Sequence, residues 1–244
     1  MSGHSKWHNI QKTKGAQDAK RASMFTKISK EMIVAVKEGG SADPANNSRL
    51  ATVITKAKAA NMPNDNIKRV LDKASGAGNT DNYESITYEG YGPSGVAVIV
   101  ETMTDSRNRT AANMRHYFDK YGGNLGASGC VAWSFDRKGV LVIDNEEEEL
   151  DEDTVMMDAL DAGAEDFSNE GVCFEITTDP HDFNAVADAL TAKGYRFVSA
   201  QVEMVPQNYQ KLEKEEDIKN MEKLLDMMED DDDVQNVWHN WDNE

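Results

Sequence analysis

Charge is divided along this chain more sharply than any other property. Residues 1–75 hold 14 Lys and Arg against 6 Asp and Glu, a net of +8. Residues 76–244 hold 12 against 38, a net of −26. The whole-chain balance of −18 conceals this split. A polyanion is attracted by the first third and repelled by everything after it. The chain must therefore fold into regions of opposite surface character, and only the first is suited to meet a nucleic acid.

With 244 residues the chain has room for one to three domains at roughly 100–200 residues each. A hydrophobic share of 39% is enough for packed cores. A mean hydropathy of −0.66 and 29% charged residues argue against a membrane protein. The longest aliphatic run, residues 96–100, falls far short of the ~18 residues a span needs. Residues 1–21 are basic but contain no apolar stretch, so they do not read as a secretory signal. Cys130 and Cys173 are too few for a disulfide framework and read as reduced thiols of a cytoplasmic protein.

Residues 1–15 repeat at neither 3.6 nor 2 and read as a basic arm. A helix is expected over residues 16–37, with Phe25, Ile28, Met32, Ile33 and Val36 on one stripe and Gly39-Gly40 as its stop. A second helix carries Leu50, Val53, Ile54 and Ala57, starts at a cap from Asn46 or Asn47, and ends before Asn61-Met62-Pro63. A third, capped by Asn64 or Asp65, turns Ile67, Val70, Leu71 and Ala74 inward. After a Gly-Ala-Gly linker the period changes to that of strands. Residues 86–91 and 95–104 form a hairpin, and Val96, Val98 and Val100 alternate with Ala97 and Ile99 on a strand covered on both faces. A helix follows to Tyr121, then a second hairpin is read from residues 130–135 and 140–143 around Asp136-Arg137-Lys138-Gly139. From residue 140 to 204 the order is βαββαβ, the ferredoxin-like arrangement. A last helix and strand are expected to return to the sheet of residues 83–135. The predicted class is α+β: a helical bundle at 1–78, then one α+β domain from 79–136 plus 206–244, with a ferredoxin-like domain at 137–205 inserted in it.

The candidate nucleic-acid contacts are Lys6, Lys12, Lys14, Lys20, Arg21 and Lys27, with Trp7 among them. Cations neutralise phosphates and release counterions, and an exposed ring stacks on a base. The alternative is a solvated helix face and a tail. A second candidate lies at Asp105-Ser106-Arg107-Asn108-Arg109-Thr110, where Arg107 and Arg109 at a helix start form a phosphate seat. There the alternative is a helix whose arginines pair with carboxylates. His4 and His8, spaced i, i+4, lack a nearby carboxylate or thiol, and no metal is expected. The runs at 146–149 and 230–233 lack the glycine and alternating ligands of a calcium loop and read as solvated loops. No GxSxG, Walker, GxGxxG or CxxC motif points to an enzyme, and no small-molecule substrate is expected.

Gly3-His4-Ser5-Lys6-Trp7, Ala16-Gln17-Asp18-Ala19-Lys20-Arg21, Phe25-Thr26-Lys27 and Asn61-Met62-Pro63 resemble the YebC/PmpR family. So do Tyr88-Glu89-Gly90-Tyr91-Gly92-Pro93, the Asp105–Thr110 segment, Gly123-Asn124-Leu125-Gly126, Val131-Ala132-Trp133, Phe135 and residues 231–237. The resemblance covers essentially the whole chain. Cys130, Ser134 and Trp238 depart from the usual residues and leave the basic arm untouched. The resemblance implies three domains, a cytoplasmic location and no cofactor. It also implies a partner that is nucleic acid: DNA for the members described as transcriptional regulators, or ribosomal RNA and the ribosome for those described as translation factors. No helix-turn-helix with a clear recognition helix stands out.

Overall fold

The computed structural model describes residues 19–76, 82–145 and 150–243, with side chains from residue 22 onward. In chain order the first half contains α1 (Ala19–Gly39), α2 (Ser48–Ala59), α3 (Asn64–Ser75), β1 (Glu84–Tyr91), β2 (Ala97–Thr104), α4 (Arg107–Lys120), β3 (Asn124–Leu125) and β4 (Phe135–Asp144). The second half contains α5 (Glu152–Ala162), β5 (Asp166–Asn169), β6 (Cys173–Thr178), α6 (Phe183–Ala192), β7 (Phe197–Pro206), β8 (Gln210–Lys211), α7 (Glu215–Glu229), β9 (Val234–His239) and β10 (Trp241–Asp242). The class is α+β. The chain divides into two compact units, one from the described residues of 1–79 and 137–203, the other from those of 80–136 and 204–244.

In the first unit, α1, α2 and α3 bury the stripes expected of them. Ile28, Met32, Ala35 and Val36 meet Leu50, Val53, Ala57, Met62 and Ile67 in one core. Asn47 caps α2, its Oδ1 accepting from the Leu50 N–H at 3.0 Å. Its amide nitrogen donates to the carbonyls of Ala35 and Ser41, both at 2.8 Å, so one buried side chain ties the α2 start to the α1 end. The third helix starts differently from expectation: Pro63 takes the cap position, no side chain caps it, and Asn64 is already its first residue.

The same unit holds a four-stranded sheet in the order β5-β6-β4-β7, with α5 and α6 contributing to its core. This is the βαββαβ arrangement with its two outer segments paired to the middle of the sheet. Asn184 on α6 donates to Thr52 Oγ1 at 3.0 Å and accepts from Thr55 Oγ1 at 3.4 Å, and Ala59 packs against the sheet's core, so α2 and α6 meet directly.

In the second unit, β3-β1-β2-β9 form an antiparallel sheet. β2 is buried on both faces. Val96, Val98 and Val100 pack with Met114, Phe118, Met221 and Leu224 from α4 and α7, while Ala97 and Ile99 pack with Val131 and Phe135. The last helix and strand do return to this sheet, with Val237 opposite Val100.

The second predicted hairpin is not formed. Residues 130–134 make a turn and a short 3-10 helix, and β4 runs unbroken through Asp136-Arg137-Lys138-Gly139. Gly139 serves close packing rather than a turn: a Cβ there would lie 2.3 Å from Thr178 Oγ1 and 2.9 Å from Phe183 Cβ.

Candidate nucleic-acid interface

Of the predicted contacts, Lys6, Trp7, Lys12 and Lys14 lie outside the described residues, as do His4 and His8. Lys20 and Arg21 fall in the first turn of α1. Lys27 lies half-buried on the same helix. Two further cations of the bundle are consumed inside it. Lys56 Nζ bonds Glu31 Oε1 at 2.7 Å, joining α2 to α1, and Glu31 is buried. Arg49 pairs with Glu38 at the surface. Sequence reasoning did not single out Lys58, Lys68 and Arg69, yet these are exposed and their side chains form no ion pair or hydrogen bond among the described residues. The signal was present. A stripe of Ile67, Val70, Leu71 and Ala74 facing inward turns Lys68 and Arg69 to the opposite side of α3.

In the second unit, Arg107 and Arg109 stand on the first turn of α4, and both are engaged. Arg107 Nη2 bonds Glu84 Oε2 at 2.7 Å on an exposed edge. Arg109 Nη2 reaches Asp233 Oδ2 at 2.7 Å and Asp105 Oδ1 at 2.8 Å. Asp233 is buried, and its Oδ2 also accepts from the hydroxyls of Thr104 at 3.1 Å and Thr110 at 2.9 Å. Burial alone raises the Asp233 pKa, but the bonds from Arg109, Thr110 and Thr104 outweigh it and hold the carboxyl below its ordinary range. Asp231 Oδ2 accepts from Asn113 at 3.1 Å and from Tyr117 at 3.0 Å, while its Oδ1 caps the Asp233 N–H at 2.9 Å. The acidic run at 230–233 is thus no solvated loop at Asp231 and Asp233. Those two carboxylates fasten β9 to α4. Pattern alone cannot show that a carboxylate in a charge run reaches a buried hydroxyl.

Glu89 organises a different part of this unit. Its Oε1 accepts from the Gly129 N–H at 2.6 Å, and its Oε2 from Val131 at 2.9 Å and Ala132 at 2.8 Å. Burial pushes its pKa up, but the three backbone donors win and the carboxyl stays below its usual value. The turn it holds presents Trp133, 72% exposed. Neither Cys130 nor Cys173 is in a disulfide. Among the described residues no cluster of His, Cys, Asp and Glu could hold a metal ion, and no helix is long and apolar enough to cross a membrane.

Comparison with known proteins adds three findings. The TACO1/YebC N-terminal domain matches residues 5–77, and the TACO1/YebC second and third domain matches residues 83–241. Proteins named "Probable transcriptional regulatory protein" from Finegoldia magna and Ruminiclostridium cellulolyticum are each 57% identical, covering 100% and 99% of this chain and 100% and 96% of theirs. One of the same name from Agathobacter rectalis is 56% identical over 99% of both chains. The crystal structure of a conserved hypothetical protein from Aquifex aeolicus matches with a TM-score of 0.81 and 40% identity, covering 92% of this chain and 91% of that one.

Proposed function

The chain belongs to the TACO1/YebC family, and on that footing we propose that it is a DNA-binding transcriptional regulator of the cytoplasm whose basic N-terminal third makes the contact. The observation that carries this reading is the charge division: +8 on residues 1–75 against −26 on the remainder. Phosphate attraction is sequence-independent and additive over cations, so it concentrates where Lys and Arg outnumber acids. Lys6, Lys12, Lys14, Lys20, Arg21 and Lys27 supply it, with Lys58, Lys68 and Arg69 exposed on the helices that follow. Trp7 adds a stacking surface. The acidic remainder keeps the bound strand off itself. Arg107 and Arg109 enter this reading only as an accessory phosphate seat, since Glu84 and Asp233 already occupy them. Its role is binding and regulation without a chemical step or cofactor of its own, and the three-domain division at 78, 136 and 205 belongs to the same reading. The relatives' name supports the choice of transcription.

Crosslinking in cells, followed by sequencing of the recovered nucleic acid, tests it. Recovery of chromosomal DNA at defined loci is the expected result. Recovery of ribosomal RNA with no enriched DNA would overturn the transcriptional reading.

A further inference from the structure

Between β3 and β4 the chain buries its smaller apolar residues and exposes its largest. Val131 and Phe135 sink to 1% and 5% exposure against Ala97 and Ile99. Trp133, between them, stands 72% exposed. The turn is not loose. Glu89 takes three of its backbone N–H groups, and Tyr91 Oη donates to the Cys130 carbonyl at 3.1 Å. The Trp133 indole N–H donates to that same carbonyl at 3.0 Å. A buried carboxylate therefore fixes the turn, and an internal bond fixes the ring.

We propose that Trp133 is a docking platform for an arginine side chain of a basic protein segment. With its N–H already committed, the ring offers a partner its faces, not its polar edge. Those faces carry the negative side of the ring quadrupole and attract cations. The unit that bears the ring, residues 80–136 and 204–244, holds 8 Lys and Arg against 20 Asp and Glu, a net of −12. That field draws a cationic segment in and repels a phosphate backbone, which disfavours base stacking here although a tryptophan face could otherwise serve it. A guanidinium, planar and weakly hydrated, stacks on an indole better than an ammonium does.

The chain has 4 Trp, so 5-fluorotryptophan labelling of the full chain gives a small set of fluorine resonances, with Trp133 identified by its loss in Trp133→Phe. The probes are an oligoarginine peptide and an oligothymidylate single strand. The peptide is expected to move the Trp133 resonance, and Trp133→Ala, which keeps every charge, to weaken peptide binding roughly two- to thirty-fold. The single strand is expected to leave that resonance in place. If Trp133→Ala proves less stable, the resonance shift in the unsubstituted chain still decides. An unmoved Trp133 resonance at peptide saturation would overturn the proposal, as would equal peptide affinity in a folded Trp133→Ala or a shift produced by the oligothymidylate instead. None of these results bears on whether the basic arm binds DNA.

Discussion

Four donor contacts converge on a single oxygen of Asp233: two from Arg109 nitrogens and one each from the Thr104 and Thr110 hydroxyls. Removing that carboxylate takes the buried acceptor from Arg109 and from both hydroxyls, so Asp233→Ala should cost about 2–4 kcal/mol in denaturant unfolding. Arg109→Ala should lower the melting temperature for the same reason. Arg107→Ala breaks only an exposed pair with Glu84 and should leave stability nearly unchanged. Equal effects of the two arginine changes would contradict this assignment. His239 gives a separate, pH-dependent signature. Burial pushes its pKa from 6.5 down to about 4, and its Nδ1 accepts from the Trp241 N–H at 3.2 Å. Between those values the unfolded chain binds a proton that the folded chain refuses. The contribution is therefore full above pH ~6.5 and lost as pH falls towards ~4, by at most about 3 kcal/mol. His239→Gln should flatten that part of the stability profile, and an unchanged profile would show that another group titrates there.

At the scale of elements, Gly139 separates two readings of one segment. As a hairpin residue it would supply a left-handed backbone. As a strand residue it leaves room for Thr178 and Phe183, and a methyl group there would run into both. Gly139→Ala should destabilise by about 1–3 kcal/mol, measured by thermal or denaturant unfolding. The helices and the ferredoxin-like order were legible in the sequence because periodicity records which face is apolar. Stripes such as Ile28–Met32–Val36 and the alternation around Val98 need nothing more. Asp-Arg-Lys-Gly was misread because turns and close packing use the same residue, glycine, for different reasons. Lys58, Lys68 and Arg69 were legible as outward residues but not as unpaired ones, since ion pairing depends on which acids fold beside them. The Glu89 turn left no periodic trace at all. A carboxylate that satisfies backbone N–H groups some forty residues away is a tertiary fact.

At the scale of the whole molecule, the charge division makes a quantitative claim about ionic strength. Lys6, Lys12, Lys14, Lys20 and Arg21 place five cations within sixteen residues. If four or five of them meet phosphates of duplex DNA, log K should fall against log salt with a slope of roughly −3.5 to −4.5. Deleting residues 2–15 removes Lys6, Lys12 and Lys14. The most direct measurement is therefore the salt dependence of DNA affinity for the full chain beside the chain lacking residues 2–15. The slope should flatten by about 2–3 in the truncated chain. Identical slopes in the two chains would mean that the arm touches no phosphate, and would contradict the proposal that Lys6, Lys12 and Lys14 carry part of the DNA contact.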